Sequence, residues 1–105
     1  MAARRDDAPS VRIIGHKRYT LEKRNLVCEA HVSNPRLFFD WNAQTKRLYF
    51  PQGKAFVLET IMDISGAVID TRLITEKEAR AFMDANPEGI IEKVYVRFFG
   101  HPEEL

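Results

Sequence analysis

The fold class of this chain is decided by the stretch Ile74-Thr75-Glu76-Lys77-Glu78-Ala79-Arg80-Ala81-Phe82-Met83-Asp84-Ala85-Asn86-Pro87. Thr75 can accept a hydrogen bond in the first turn of a helix, and Glu78, three residues later, completes a capping box. Ile74 and Ala79 occupy the two positions of a hydrophobic staple, which fixes how the chain enters the helix. The stretch therefore predicts a short helix that begins just after Thr75.

The same stretch predicts where this helix ends and how it packs. The residue before a proline avoids the α-helical conformation, so Asn86, which precedes Pro87, should stop the helix near Ala85. Phe82 and Met83 are its large apolar side chains and should dock on a sheet. One short helix covers only one face of a sheet, so the opposite face needs a second covering element or a partner.

The rest of the chain is patterned mainly for strands. Residues 1–10 are polar and are expected to form a disordered tail. Residues 11–23 carry scattered apolar side chains among basic ones, with a bend at Gly15, which is typical of an exposed or edge strand. Residues 26–32 alternate between apolar and polar side chains, so one face of this strand should be buried. A turn at residues 33–35 follows it.

Two further segments predict hairpins, and one of them has an open alternative. Residues 36–41 and 47–50 flank a polar loop, which predicts a β-hairpin. Residues 55–65 fit either an amphipathic helix or a strand, and no good helix N-cap precedes them. We favour the strand, because Ser65-Gly66 would then form a tight turn into the strand-forming residues 67–74.

The last apolar run, residues 90–99, is predicted to be a strand with two different faces. One face should belong to the core and carries Ile90, Val94, Val96 and Phe98. The other face interleaves aromatic with basic side chains. The predicted architecture is an α+β fold, a small antiparallel β-meander of five or six strands with one short helix near residues 75–86 packed on one face. Residues 11–105 would form this single domain.

The alternation also predicts an aromatic and basic platform on the sheet face that the helix leaves open. In the 36–50 hairpin, Leu37, Phe39 and Trp41 would point to the core and their neighbours to the platform. Tyr, Phe and Arg are residue types that protein interfaces favour. The candidate partner-binding residues are Arg36, Phe38, Arg47, Tyr49, Lys93, Tyr95, Arg97 and Phe99.

The platform predicts a non-catalytic binding module, a regulatory or adaptor protein that contacts a protein partner or a second copy of itself. Two alternatives stay open. The aromatic side chains could instead form a second small core under the N-terminal arm. They could also bind single-stranded nucleic acid, because aromatic rings stack on bases while Arg and Lys contact phosphate.

No arrangement of residues in the sequence predicts an enzyme. Cys28 and His31 lie three residues apart, so on a strand they point to opposite faces and do not form a nucleophile–base pair. The same two residues make only half of a zinc site, because the chain has no second cysteine. The glycines lack the spacing of a phosphate-binding loop. We expect no catalytic residue, no metal site and no cofactor.

Composition limits the class of protein further. A chain of 105 residues, 45% of them apolar and 30% charged, is typical of one soluble globular domain. A single cysteine excludes an internal disulfide framework and fits a reducing compartment. The N-terminus has no apolar run of a secretory signal, and no segment reaches the roughly 20 apolar residues that span a membrane. We expect a cytoplasmic protein without membrane association.

Overall fold

Six antiparallel strands and two helices make up residues 9–102, the part of the chain that the computed structural model describes. The strands are β1 (Ser10–Ile14), β2 (Lys17–Leu21), β3 (Leu26–Val32), β4 (Gln44–Tyr49), β5 (Phe56–Met62) and β6 (Val68–Ile74). The helices are α1 (Glu76–Ala85) and α2 (Glu92–Phe99). β1 and β2 form a separate hairpin, while β3, β4, β5 and β6 form a four-stranded meander in chain order. The predicted α+β fold is confirmed.

α1 begins and ends where its sequence predicts. The Thr75 hydroxyl accepts a hydrogen bond from the Glu78 backbone N–H, and the Glu78 carboxylate accepts one from the Thr75 backbone N–H, both at 3.1 Å. The hydrogen bonds that the Glu78 carboxylate accepts from the Thr75 backbone N–H and hydroxyl hold the pKa of Glu78 below its ordinary value. Asn86 is the cap residue at the C-terminal end. The inner side of the helix buries Ala79 and Met83 against the sheet.

The main core lies between the four-stranded sheet and the two helices. A β-bulge near the start of β3 lets Val27 and its neighbour Cys28 both point into this core. Phe82 is only half-buried and packs at the margin, while Met83 is buried. The buried members are Val27, Cys28, Leu48, Phe56 and Leu58 from the sheet and Ala79, Met83 and Val94 from the helices.

The β1–β2 hairpin covers part of the opposite sheet face and forms a second, smaller core. Its turn consists of Gly15 and His16, which both have positive φ angles (58° and 65°), as a two-residue type I′ hairpin turn requires. Below it, Leu21, Tyr49 and Val57 are buried together. Tyr49 therefore lies in a second core under the N-terminal arm, one of the two alternatives that the sequence leaves open. Of the predicted tail, residues 1–8 lie outside the described residues, and Ser10 already belongs to β1.

The preference for a strand in residues 55–65 is confirmed. β5 occupies Phe56–Met62 and pairs with β4 on one side and β6 on the other. Gly66 lies in the turn between β5 and β6 with a φ angle of 71°, a conformation that glycine adopts without strain.

The predicted hairpin between residues 36–41 and 47–50 is wrong. Residues 33–43 form a loop, and β4, which follows it, pairs with β3 instead. The reason is local, because the side chains of Asn34 and Asp40 accept hydrogen bonds from backbone N–H groups of this loop. Such side-chain bonds compete with strand pairing.

The predicted strand at residues 90–99 is also wrong, because most of this run forms α2. Its apolar residues alternate as in a strand, but Ile90, Val94 and Phe98 are also spaced four apart, as on one side of a helix. All three contribute to the main core. The pattern alone therefore fitted both structures, and the helical one buries the apolar side chains.

The segment before α2 covers the outer edge of β3 at its start. The Ile91 backbone N–H donates a hydrogen bond to the Val27 carbonyl oxygen at 2.8 Å, and Ile90 forms a β-bridge with Cys28. Gly89 lies where the two backbones come closest, since a Cβ there would collide with the carbonyl oxygen of Glu29. Among the described strands, β6 at the other side of the sheet has no outer neighbour.

We predict that Gly89→Ala destabilises the protein by about 1–3 kcal/mol, because the added methyl group must push the Pro87–Gly89 turn away from β3. Glu88→Ala, at an exposed neighbouring position, is the matched control and should change stability by less than about 0.5 kcal/mol. Urea unfolding followed by circular dichroism measures both. Equal midpoints for the two variants would show that this close approach does not exist.

Candidate functional site

The eight candidate partner-binding residues do not share one sheet face. The predicted platform required a strand at residues 90–99, and that strand is a helix. The structure separates the candidates into a loop (Arg36 and Phe38), the sheet face under the N-terminal hairpin (Arg47 and Tyr49) and helix α2 (Lys93, Tyr95, Arg97 and Phe99). Their role in binding stays a prediction, but they cannot act as a single flat surface.

Arg47 and Tyr49 are part of the internal structure. Arg47 Nε donates a hydrogen bond to a carboxylate oxygen of Glu29 at 2.9 Å, across the β3–β4 pair. Tyr49 is buried beside Leu21 and Val57. Burial raises the pKa of the Tyr49 phenol. Neither side chain is open to a partner in the way that the platform requires.

The α2 candidates divide between packing and surface. The Tyr95 and Phe99 rings lie 5.0 Å apart, centre to centre, and Phe99 also stacks on Phe50 at 5.3 Å. The Arg97 guanidinium donates a hydrogen bond to the Arg24 carbonyl oxygen, so it ties α2 to the turn before β3. Lys93 is exposed.

Tyr95 and Phe99 also line a cleft of about 570 Å³ between α1 and α2. Its floor is apolar and includes Met83, while its rim carries both signs of charge. On that rim, Arg80 forms an ion pair with Glu76 at 2.9 Å. The cleft can take an apolar side chain, but nothing around it selects one kind of partner.

Among the described residues, the most exposed cluster of apolar side chains lies in the loop of residues 33–43, which we call the aromatic loop. Phe38 is fully exposed, with a relative exposure of 108%, and Trp41 is 66% exposed. Leu37 and Phe39 are more than half exposed. Phe39 meets Trp41 edge to face, with ring centres 4.8 Å apart. These side chains contact water where the sequence predicted a core-facing hairpin.

Hydrogen bonds hold the backbone of the aromatic loop in place. The Asp40 carboxylate accepts the backbone N–H groups of Asn34 (2.7 Å) and Asn42 (2.9 Å), which closes the loop on itself. The Ala43 carbonyl oxygen accepts the Asp63 N–H at 3.0 Å and fastens the loop to the end of β5. The apolar side chains are therefore displayed from a fixed backbone.

Sequence reasoning missed Leu37, Phe39 and Trp41 as surface residues, because it placed them on the buried side of a hairpin. A signal for the loop was present in the turn-forming residues Asn34-Pro35 and Asp40, which lie on either side of Leu37, Phe38 and Phe39. Two such turn signals within seven residues favour a closed loop over a strand.

A polar cluster lies beside the aromatic loop. The Thr45 hydroxyl donates to an Asp63 carboxylate oxygen at 2.6 Å, and His31 Nδ1 lies 3.0 Å from the same hydroxyl oxygen. Because the Thr45 hydroxyl has one proton and uses it in the hydrogen bond to Asp63, His31 Nδ1 must be the donor in the hydrogen bond to Thr45. His31 Nε2 lies 3.6 Å from a Glu29 oxygen. Thr45 is buried, and its hydroxyl donates a hydrogen bond to the Asp63 carboxylate. This arrangement anchors the side chains and leaves no nucleophile directed at solvent.

Three expected absences stay predictions. Within residues 9–102 no group of three or more His, Cys, Asp or Glu side chains is placed to hold a metal ion. Neither helix of this part of the chain has the length and apolar character that crossing a membrane requires. The cluster around Thr45 supplies hydrogen bonds rather than a complete set of acid, base and nucleophile.

Cys28, the one cysteine of the chain, is fully buried. Its Sγ lies 3.5 Å from the Asn86 carbonyl oxygen, and burial raises the pKa of the thiol to about 11. We predict that iodoacetamide does not modify folded protein at neutral pH, because the thiolate is the reactive form, and that it modifies the urea-unfolded chain. Mass spectrometry measures the added mass. Equal rates in the two states would place the thiol at the surface.

Comparison with known proteins finds no matching family model, no matching curated protein and no matching solved structure. Within the described residues, the aromatic loop combines strongly exposed apolar side chains with a hydrogen-bonded backbone, which makes it the candidate binding surface.

Proposed function

We propose that this protein is a non-catalytic binding module, a regulatory or adaptor protein that docks on a protein partner through the aromatic loop. The full exposure of Phe38 within a hydrogen-bonded loop carries the proposal. Contiguous apolar side chains in water are unfavourable, and monomeric soluble proteins rarely expose them without a binding role. A cytoplasmic location fits the reduced, buried Cys28 and belongs to the same proposal.

The chemistry of the loop favours a protein partner. Trp, Phe and Arg are common at the centres of protein interfaces, and the loop carries Phe38, Trp41 and Arg36, all exposed. The bonds to Asp40 fix the backbone before binding, so less conformational entropy is lost on association. A cleft of about 380 Å³ between the loop and Ile64 adds a recess for a partner's side chain.

Single-stranded nucleic acid is the second candidate, because Phe38 and Trp41 have exposed rings on the loop that also carries the cation Arg36. The surroundings support it less well. The carboxylates of Asp40 and Asp63 line the cleft at the loop and would repel phosphate. Two other cations proposed for the platform are engaged within the protein, Arg47 with Glu29 and Arg97 with the Arg24 carbonyl oxygen.

We predict that Phe38→Ala with Trp41→Ala leaves the melting temperature nearly unchanged and weakens partner binding by at least about 30-fold, because two exposed anchors are lost. Wild-type and variant proteins serve as baits in extract, and a protein retained only by wild type is purified. The purified partner is titrated into wild-type protein, and binding is followed by the fluorescence of Trp41, the one tryptophan of the chain. The emission of Trp41 should shift to shorter wavelength when the partner buries its ring. The titration of the variant uses a labelled partner.

Ile13→Ala is the matched control, since Ile13 is an exposed apolar residue on β1 outside the loop and its loss should not affect binding. A partner that binds wild type and double variant equally, or that leaves Trp41 fluorescence unchanged, contradicts the proposal. Labelled single-stranded oligonucleotides test the second candidate. Binding that needs Phe38 and weakens steeply with salt would favour nucleic acid over protein.

A further inference from the structure

Within the described residues, no strand lies beside the outer edge of β6. On the opposite edge, Ile90 and Ile91 cover the start of β3 at Val27 and Cys28. β6 contains no proline or lysine, and the features that protect its edge are the charges of Asp70 and Arg72 and the β-bulge at Ile69. Its side chains Val68, Ile69 and Leu73 are exposed. The strand therefore offers unpaired backbone groups together with apolar side chains, the combination that binds another strand.

The sequence of β6, Val68-Ile69-Asp70-Thr71-Arg72-Leu73-Ile74, is complementary to itself about its central residue. Two apolar residues and an acid precede Thr71, and a base and two apolar residues follow it. If two copies pair antiparallel across a two-fold axis at Thr71, Asp70 of each copy faces Arg72 of the other. By residue count Ile69 would face Leu73, but the β-bulge at Ile69 interrupts the regular register there, so the register fixes mainly the two charge pairs beside Thr71.

The faces of the sheet agree with this arrangement. Leu73 pairs with Val57, whose side chain lies in the small core under the hairpin, so Leu73 would lie on that side of the joined sheet. Arg72 pairs with Leu58 of the main core, which places both charge pairs on the other side. Within one copy, Arg72 Nε lies 3.5 Å from Asp70 Oδ2. The two side chains remain 62% and 52% exposed, so both are accessible to a second copy.

Charge also selects the register. Moving the two-fold axis by one residue places Arg72 opposite Arg72, or Asp70 opposite Asp70, and like charges in direct opposition are destabilising. The β-bulge at Ile69 bends the first part of the strand. The two charge pairs and the Thr71 pair lie beyond this bulge, in the regular part of the edge.

We propose that β6 pairs with β6 of a second copy of this chain in the antiparallel register centred on Thr71, which joins two four-stranded sheets into one of eight strands. The occupant of the edge is a second copy because the charges and apolar residues of β6 match their own reverse order. The contact does not involve the aromatic loop, so it goes beyond the proposed function, and the two can be tested separately.

Charge reversal at the edge tests the pairing. Sedimentation velocity over a range of concentrations, up to about 1 mM, measures self-association. Asp70→Arg alone and Arg72→Asp alone should each weaken it by at least about tenfold, because both charge pairs become repulsive. The double variant Asp70→Arg/Arg72→Asp should associate like wild type. An equimolar mixture of the two single variants should form a heterodimer, since each then faces the opposite charge.

The mixture and the double variant also control for folding, because a variant that cannot fold cannot regain association. A wild-type protein that is monomeric throughout the range overturns the proposal. So does a dimer that both single variants form as well as wild type, or single variants that fail to associate when mixed. Phe38→Ala with Trp41→Ala should dimerise normally, and its failure to do so would place the aromatic loop in the self-contact.

Discussion

The contact between the Pro87–Gly89 turn and β3 is the constraint on which the rest of the structure depends. Gly89 lets two backbones approach until a Cβ would collide with the Glu29 carbonyl oxygen, and the Ile91 N–H then bonds the Val27 carbonyl oxygen. This contact directs the chain back across the sheet, so that α2 adds Val94 to the same core as α1. It also covers the start of the β3 edge, whereas no described strand lies beside the β6 edge.

Both faces of the sheet are at least partly covered, so the surfaces proposed for binding lie at a loop and an edge. Two helices cover one face, and the β1–β2 hairpin covers part of the other. The hairpin is held by charge as well as by apolar packing, because Arg12 forms an ion pair at 3.2 Å with Glu59, a buried carboxylate on β5. Thr71 donates a second hydrogen bond to Glu59 at 3.1 Å. A buried carboxylate without these partners would be costly, so the network fixes the position of the hairpin.

The parts of the fold that depend on neighbouring residues could be predicted from the sequence. The capping box of Thr75 and Glu78 defined α1, and the turn at Gly66 helped to identify β5 and β6. α2 could not be identified in this way, because the spacing of Ile90, Val94 and Phe98 fits a strand and a helix equally well. Contact with β3 decides between them, and it joins residues about 60 positions apart in the chain, which no local pattern reveals.

The candidate site was predicted only in part. Arg36 and Phe38 were named as binding residues, and they do lie on the most exposed apolar surface of the described chain. Their setting was wrong, because the Asp40 and Asn34 side chains convert a strand-like alternation into a closed loop. The self-complementary order of β6 was readable in the sequence, but its meaning depends on which edge of the sheet stays open, and only the structure supplies that.

Backbone hydrogen exchange tests the asymmetry between the two edges most directly. It compares wild type with Asp70→Arg at equal concentration, with the exchange of β3, β6 and Ile91 amides read separately. The account predicts that the Ile91 amide and β3 are protected in both proteins, whereas outward-pointing amides of β6 are protected in wild type and lose protection in the variant. It would be contradicted by β6 amides that exchange equally in the two proteins, or by an Ile91 amide that exchanges as fast as an exposed loop.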